Sequence, residues 1–532
     1  MSIKRVVVAV FISGLAACST ETPGHDLKAG APRSLAQGEV IGVPSPYDDE
    51  ITVYRGLPYA AAPIGDLRWQ PPRPAPSWEG IRIANTFSDS CYQPRHWDYF
   101  VWRREDFTVS EDCLYLNVWT PVNAQGLPVM VWFHGGTHLS GQGHSLIFDG
   151  TSLAQRGVLV ITVNYRLGPF GFLAHPVLSE AAQSGASGNY GLMDKVAALS
   201  WIRDNVHSLG GNPENVTVFG QSAGSQSICS LLTSPYGKGL FHKAIGQSAS
   251  CVTPASTEDA NGHERGIALV EELGLDSLQE LRSADADALI SAMIASDWAS
   301  ESRIVIDGDV LEQWPSETFA DQRQAKIPLM LGFLADEDEQ LFPINKSLTR
   351  SELDGFLEHV AGDLAGELKG EYDADSLTPG QLQHAVSTDI FMAFGMQRWA
   401  EYHALAGQPT YLYFMDHVPP AFHLYMPEQP YLALEGGSRS GGAYHSGDLA
   451  LVFGSLDKVG YDWTAEDKFV SEQMVTYWTN FAKTGNPNRP GENTWTPFDR
   501  ERLSTRVINS EPATVGGVRK RILEILASRQ PL

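Results

Sequence analysis

The chain has 532 residues, 43% of them hydrophobic and 10% aromatic, which is ample for a sizeable core in several domains or in one large α/β unit. With 63 acidic against 38 basic residues the formal net charge is −25, so a phosphate backbone would be repelled and no nucleic-acid partner is expected. The acidic residues are scattered, which favours a solvated surface over a dedicated cationic partner.

The N-terminus carries a targeting pattern. Lys4 and Arg5 form a charged region, and Val6 to Leu15 an apolar stretch too short to span a bilayer. It ends in Leu15-Ala16-Ala17-Cys18, which resembles a bacterial lipobox. That likeness implies that Cys18 becomes the lipidated first residue of the mature protein; ordinary secretion with cleavage after a small residue is the alternative. Residues 1–18 are thus expected to be a lipoprotein-type signal peptide, 19–37 a flexible polar tether and 38–532 a single domain. No other stretch is long and apolar enough for a transmembrane helix. Membrane contact is expected only through a lipid anchor at Cys18, in the bacterial cell envelope (outer membrane or periplasm).

Cysteine usage fits an oxidising compartment. Cys91 and Cys113 flank an aromatic-rich segment and suit a disulfide-closed loop, a constraint of about 3 kcal/mol in the chain-entropy account. The sequence admits a pair of Cys229 with Cys251, but two buried free thiols are the expected state. Trp97, Tyr99, Phe100, Trp102 and Phe107 lie inside the first loop and suggest an aromatic wall for an apolar ligand.

Apolar, β-branched runs then alternate with helical patterns. Pro128 to Phe133, Val158 to Val163, Val216 to Phe219, Ala244 to Gly246, Pro328 to Phe333 and Thr410 to Phe414 read as short buried strands. Met193 to Leu209 and Ser222 to Leu232 read as helices between them. The alternation predicts a mainly parallel sheet covered by helices on both faces. The acidic helical segments Asp259 to Ala292 and Ser351 to Phe394 are expected to form cap or regulatory insertions beside it.

Chemistry-bearing residues fall at the ends of these strands. His134-Gly135-Gly136-Thr137 follows the first, and a glycine-rich loop there can turn backbone N–H groups toward a developing oxyanion. Gly220-Gln221-Ser222-Ala223-Gly224 follows a strand and opens a helix, the form of a nucleophile elbow. Ser222 is the expected nucleophile, and the N–H groups of Gly136, Thr137 and Ala223 the expected oxyanion donors. A strand then ends in Asp336-Glu337-Asp338-Glu339, of which any one could hold a catalytic imidazole. His445 lies on a loop beyond the last predicted core strand, where a general base can reach back to Ser222. The histidines and cysteines show no zinc-ligand spacing, and neither metal nor cofactor is expected.

Several further blocks carry a family likeness. Tyr54-Arg55-Gly56-Leu57-Pro58-Tyr59-Ala60, Leu67-Arg68-Trp69-Gln70-Pro71-Pro72, Glu111-Asp112-Cys113-Leu114-Tyr115-Leu116-Asn117-Val118, Asn164-Tyr165-Arg166, Gly188 to Asp194 and Trp478 to Asn488 stand in order around the elbow. With them the chain resembles the type-B carboxylesterases, from about Gly38 onward. The resemblance implies an α/β-hydrolase fold and a serine ester hydrolase acting through an acyl-enzyme on small apolar carboxylic esters. It selects Glu337 as the acid and His445 as the base, places Ser248 and Gln221 beside them, and matches the Cys91–Cys113 loop to the family's first disulfide loop.

Departures from the family pattern are informative. Thr137 stands where a third glycine is common, which keeps an N–H but narrows the acyl side. Gln221 stands where a glutamate is common, which with a short disulfide loop argues against a cationic substrate. Asp338 and Ser446 replace glycines and read as surface variation. The same framework serves lipases, acyltransferases, serine peptidases and non-catalytic surface interaction proteins. Retention of serine, glutamate and histidine argues against the last.

Overall fold

The computed structural model describes residues 30–529, apart from 95–106, 253–259, 276, 297, 301–302, 338–343, 373, 375, 427 and 492–493. The expected signal peptide with Cys18, the aromatics Trp97 to Trp102, and Asp338 and Glu339 lie outside the described residues. An 11-stranded sheet organises the chain. Its strands are β1 (Val43–Ser45), β2 (Asp48–Pro58), β3 (Tyr115–Pro121), β4 (Leu127–Phe133), β5 (Leu159–Val163), β6 (Gly211–Gln221), β7 (Lys243–Gln247), β8 (Leu329–Leu334), β9 (Thr410–Met415), β10 (Ser504–Ile508) and β11 (Ala513–Gly516). They lie in the order β1-β2-β3-β5-β4-β6-β7-β8-β9-β10-β11. The block from β5 to β10 is parallel, and the strands at both margins are antiparallel.

Every strand expected from its apolar run is present. The marginal strands β1 to β3, β10 and β11 go beyond that expectation, because polar or exposed residues such as Asp48, Glu50, Arg506 and Ala513 break their apolar pattern. The expected tether also ends early. Arg33–Leu35 pairs antiparallel with Gly38–Ile41, since Leu35 is buried and gives that segment an anchor.

Strand alternation divides the core between the two faces of the sheet. Val129, Val131, Phe133, Val218, Leu329, Leu331 and Phe333 face one layer of helices. This layer includes α1 (Tyr190–Asn205) and α2 (Ala223–Thr233). Met130, Trp132, Phe219, Met330 and Leu334 face the other, with α3 (Leu449–Phe453) and α4 (Ala465–Thr484). Trp132 packs there with its ring centroid 4.9–5.1 Å from those of Phe148, Phe219 and Phe453, directly beneath the loops that leave β4 and β6. The helices His263–Leu273, Leu278–Ser283 and Ala286–Ala295 close a separate core with Phe170, Phe172 and Tyr190. Helices between Arg350 and Leu405 join the main core instead. Among the described residues no helix is long and apolar enough to cross a membrane.

The Cys91–Cys113 disulfide is present, with a Cα–Cα distance of 5.0 Å. The expectation of free thiols at Cys229 and Cys251 is overturned, because these residues form a second disulfide with Cα atoms 5.6 Å apart. The reason is topological: β7 neighbours β6, and α2 folds back over both, so a residue two turns into α2 meets the chain leaving β7. This bridge ties the helix that begins at Ser222 to the sheet. Alkylation of the unfolded, unreduced chain should therefore label none of these four cysteines, and labelling of Cys229 and Cys251 would contradict the pairing. Replacing both by serine should lower unfolding stability by about 3 kcal/mol in a urea titration, given a 22-residue separation.

Candidate active site

The site is built where parallel strands end. Ser222 lies between β6 and α2 with φ 55° and ψ −126°, a strained conformation for a residue with a β-carbon. Two glycines permit it. A Cβ on Gly224 would lie 1.9 Å from the Phe133 carbonyl oxygen, and one on Gly220 2.8 Å from the same atom, so the end of β4 presses against the start of α2. The Ser222 N–H donates to the Gln247 carbonyl at 2.8 Å, which fastens the turn to β7. Ala223, the first residue of α2, puts a free helix N-terminus at the same point.

The loop after β4 contains three successive residues at positive φ: Gly136 (101°), Thr137 (53°) and His138 (59°). Their carbonyls are held from outside. Gly136 O accepts from the N–H of Leu139 and Ser140, Thr137 O from Arg303 Nε at 2.9 Å, and His138 O from the Gly168 N–H at 2.7 Å. Among the described residues no acceptor engages the N–H of Gly136, Thr137 or Ala223. Gly135 touches the elbow, since a Cβ there would stand 3.0 Å from Ser222 Cβ.

His138, which motif inspection passed over, fixes this loop to α2. Its Nε2 lies 3.0 Å from Ser227 Oγ, and the Ser227 hydroxyl donates to Ala223 O at 2.8 Å. The serine's single proton is thereby spent, so His138 Nε2–H is the donor in the first contact. Burial holds this imidazole well below its usual pKa, hence neutral.

Glu337 and His445 come together from the loops after β8 and β9. His445 Nδ1–H donates to Glu337 Oε2 at 2.6 Å, and the Leu334 N–H donates to Oε1 at 2.7 Å. Glu337 is fully buried. Asp336, the neighbouring candidate, does something else. Its N–H donates to Ala443 O at 3.0 Å, and its Oδ2 accepts the Ala443 N–H at 2.8 Å, so it splints the acid loop to the histidine loop. Gly442, at φ 65°, leaves room for that carboxylate, because a Cβ would meet Oδ2 at 2.3 Å.

Gln221 lies on the opposite side of the imidazole. Its amide Nε2 donates to His445 Nε2 at 3.0 Å, which suits a neutral ring protonated on Nδ1. Ser248 sits at φ 55° with its N–H on Gly332 O at 2.9 Å. Its Oγ is buried without a hydrogen-bond partner among the described residues, so it joins no side-chain network here. Gln247 and Asp448, not singled out in the sequence, also converge near His445, at 2.7 Å from each other. An Asp one helical turn after a loop histidine carries little signal by itself. Among the described residues no cluster of His, Cys, Asp or Glu is arranged to hold a metal ion.

Comparison with known proteins agrees with this arrangement of strands and loops. The model of the carboxylesterase family matches residues 33–523. Fumonisin B1 esterase of Sphingopyxis macrogoltabida is 35% identical over 88% of this chain and 84% of its own length. Para-nitrobenzyl esterase of Bacillus subtilis is 34% identical over 86% and 91%. Among solved structures, a PNB esterase superposes with a TM-score of 0.78 at 31% identity, covering 93% of this chain and 99% of its own. A carboxylesterase of Geobacillus stearothermophilus reaches 0.80 at 28% identity, covering 93% and 100%. The fold is the α/β-hydrolase fold, and the chain belongs to the type-B carboxylesterase family and is a carboxylic ester hydrolase.

Proposed function

We propose that the protein hydrolyses small apolar carboxylic esters by two-step acyl transfer, with Ser222 as nucleophile, His445 as general base and Glu337 as the carboxylate that orients it. The 2.6 Å contact of His445 Nδ1 with Glu337 Oε2, at the strand ends that also carry the strained Ser222, is the observation that carries this reading. With Nδ1–H held by Glu337, the lone pair on Nε2 is available to take a proton. At rest the Gln221 amide donates to that lone pair. During attack the Ser222 hydroxyl takes its place, Oγ adds to the ester carbonyl and its proton passes to Nε2.

The carbonyl oxygen, now negative, is met by the N–H groups of Gly136, Thr137 and Ala223. The tetrahedral adduct collapses, and His445 returns the proton to the leaving alcohol. Water then enters by the same steps, cleaves the acyl–Ser222 ester and releases the acid. A neutral amide at Gln221 supports an uncharged substrate over a cationic one. Relatives named for para-nitrobenzyl and fumonisin B1 esters support an ester of small-molecule size.

Hydrolysis of p-nitrophenyl esters from acetate to palmitate tests the mechanism and separates esterase from lipase by its chain-length optimum. Ser222→Ala should lower kcat by roughly 10⁵–10⁶-fold. Turnover unchanged by that substitution would discard the mechanism. Thr137→Gly retains the N–H, so kcat on the acetate ester should stay within about threefold, whereas loss of one donor costs about 100- to 1000-fold. The preferred acyl chain should lengthen. A loss of the larger size would mean that the threonine side chain itself serves catalysis.

The N-terminal pattern supports an exported enzyme anchored in the cell envelope by lipid on Cys18. Mass analysis of the mature N-terminus should find a lipid-modified Cys18. An unmodified N-terminus at another residue would support secretion instead.

A further inference from the structure

Beneath the base lies a second buried carboxylate that the steps above do not use. Asp448 sits in the turn carrying His445, immediately before α3, and is 0% exposed. Its Oδ2 accepts the Gln247 side-chain N–H at 2.7 Å and the Tyr413 hydroxyl at 3.4 Å. Its Oδ1 is buried with no hydrogen-bond partner among the described residues. The indole N–H of Trp478 donates to Gln247 Oε1 at 3.0 Å, which fixes the orientation of the amide and aims its N–H at Asp448. The backbone carbonyl of the same Gln247 accepts the Ser222 N–H. One glutamine thus holds the nucleophile through its main chain and the base's turn through its side chain.

Stability alone does not explain an acid at this position. A carboxylate in a dry core, with one oxygen unpaired, is destabilising compared with an apolar residue of similar volume. We propose that Asp448 is a positioning residue of the reaction: in its ionised form it registers His445 on Ser222 through Gln247, and it places a second negative charge beside Glu337 where the imidazolium forms. The proposal rests on the assignment of Ser222, His445 and Glu337 made above.

The groups that face Asp448 are Glu337 from the loop after β8, Tyr413 from β9, and His445 and Tyr444 from its own turn. Gln247 of β7 and Trp478 of α4 are neutral. Burial first, and the Glu337 charge after it, push the Asp448 carboxyl up to about 6, against the opposing Gln247 hydrogen bond. Above that pH the carboxylate is charged and holds the Gln247 amide firmly. Below it the acid is neutral, and both the second charge and the strong acceptor are lost. The acidic limb of kcat/KM should therefore include the ionisation of Asp448 and fall more steeply than a single ionisation permits.

The test is kcat/KM for p-nitrophenyl butyrate across the acidic limb, followed at the isosbestic wavelength of p-nitrophenol, for the wild type, Asp448→Asn, Asp448→Ala and Ser222→Ala. Circular dichroism melting confirms folding. The wild-type limb should fall more steeply than one ionisation permits. Asp448→Asn keeps an acceptor but no charge, so its limb should reduce to a single ionisation and its kcat should fall roughly tenfold, with KM nearly unchanged. Asp448→Ala leaves Gln247 unpaired and should fall about 100-fold. A wild-type limb fitted by one ionisation, or an Asp448→Asn enzyme with wild-type limb and kcat, overturns the proposal alone. The wild-type slope decides the matter even where a variant fails to fold. Activity that survives Ser222→Ala overturns the parent assignment, and this proposal with it.

Discussion

The structure depends on one backbone constraint, the left-handed turn at Ser222. A residue with a β-carbon at φ 55° costs on the order of 1–3 kcal/mol, and it persists only where its surroundings leave no alternative. Here those surroundings are Gly220 and Gly224 packed on the Phe133 carbonyl, the Gln247 carbonyl on the Ser222 N–H, and the disulfide from Cys229 to Cys251. Each comes from a strand or helix next to β6 in the sheet. The parallel order of β4, β6 and β7 is thus what makes the turn sustainable. Relaxing it would move Oγ and the Ala223 N–H together.

Several of the remaining polar groups are fixed by contacts within the protein. Asp336 and Gly442 join the acid and histidine loops through backbone contacts, which leaves Glu337 to engage the imidazole. His138, held neutral by burial, joins the loop after β4 to α2. These contacts are made to main-chain atoms as often as to side chains, so the geometry is carried by the scaffold rather than by mobile surface residues. Gln221 differs, because its partner is the His445 imidazole itself. Its amide meets His445 Nε2, and Glu337 meets Nδ1 of the same ring.

The sheet and the candidate triad were legible in the sequence because both rest on local signals. Dense apolar runs such as Val129 to Phe133 mark central parallel strands, and Gly-x-Ser-x-Gly after a strand marks its own turn. The candidate acid was not legible from physics alone, since four consecutive carboxylates look alike until the fold buries Glu337 and turns Asp336 to the Ala443 backbone. The marginal strands escaped because polar or exposed residues such as Asp48, Glu50, Arg506 and Ala513 interrupt their apolar pattern. The Cys229–Cys251 pairing and the Gln247–Asp448 contact depend on which strands are neighbours, information that no single stretch of chain contains.

The most direct test of the central claim is covalent trapping of the nucleophile. The folded enzyme would be treated with a fluorophosphonate, digested and mapped by mass spectrometry while residual esterase activity is followed. One adduct per chain on Ser222, rising in step with the loss of activity, is the predicted result. Full activity after labelling, or inactivation that follows modification of another residue, would contradict it.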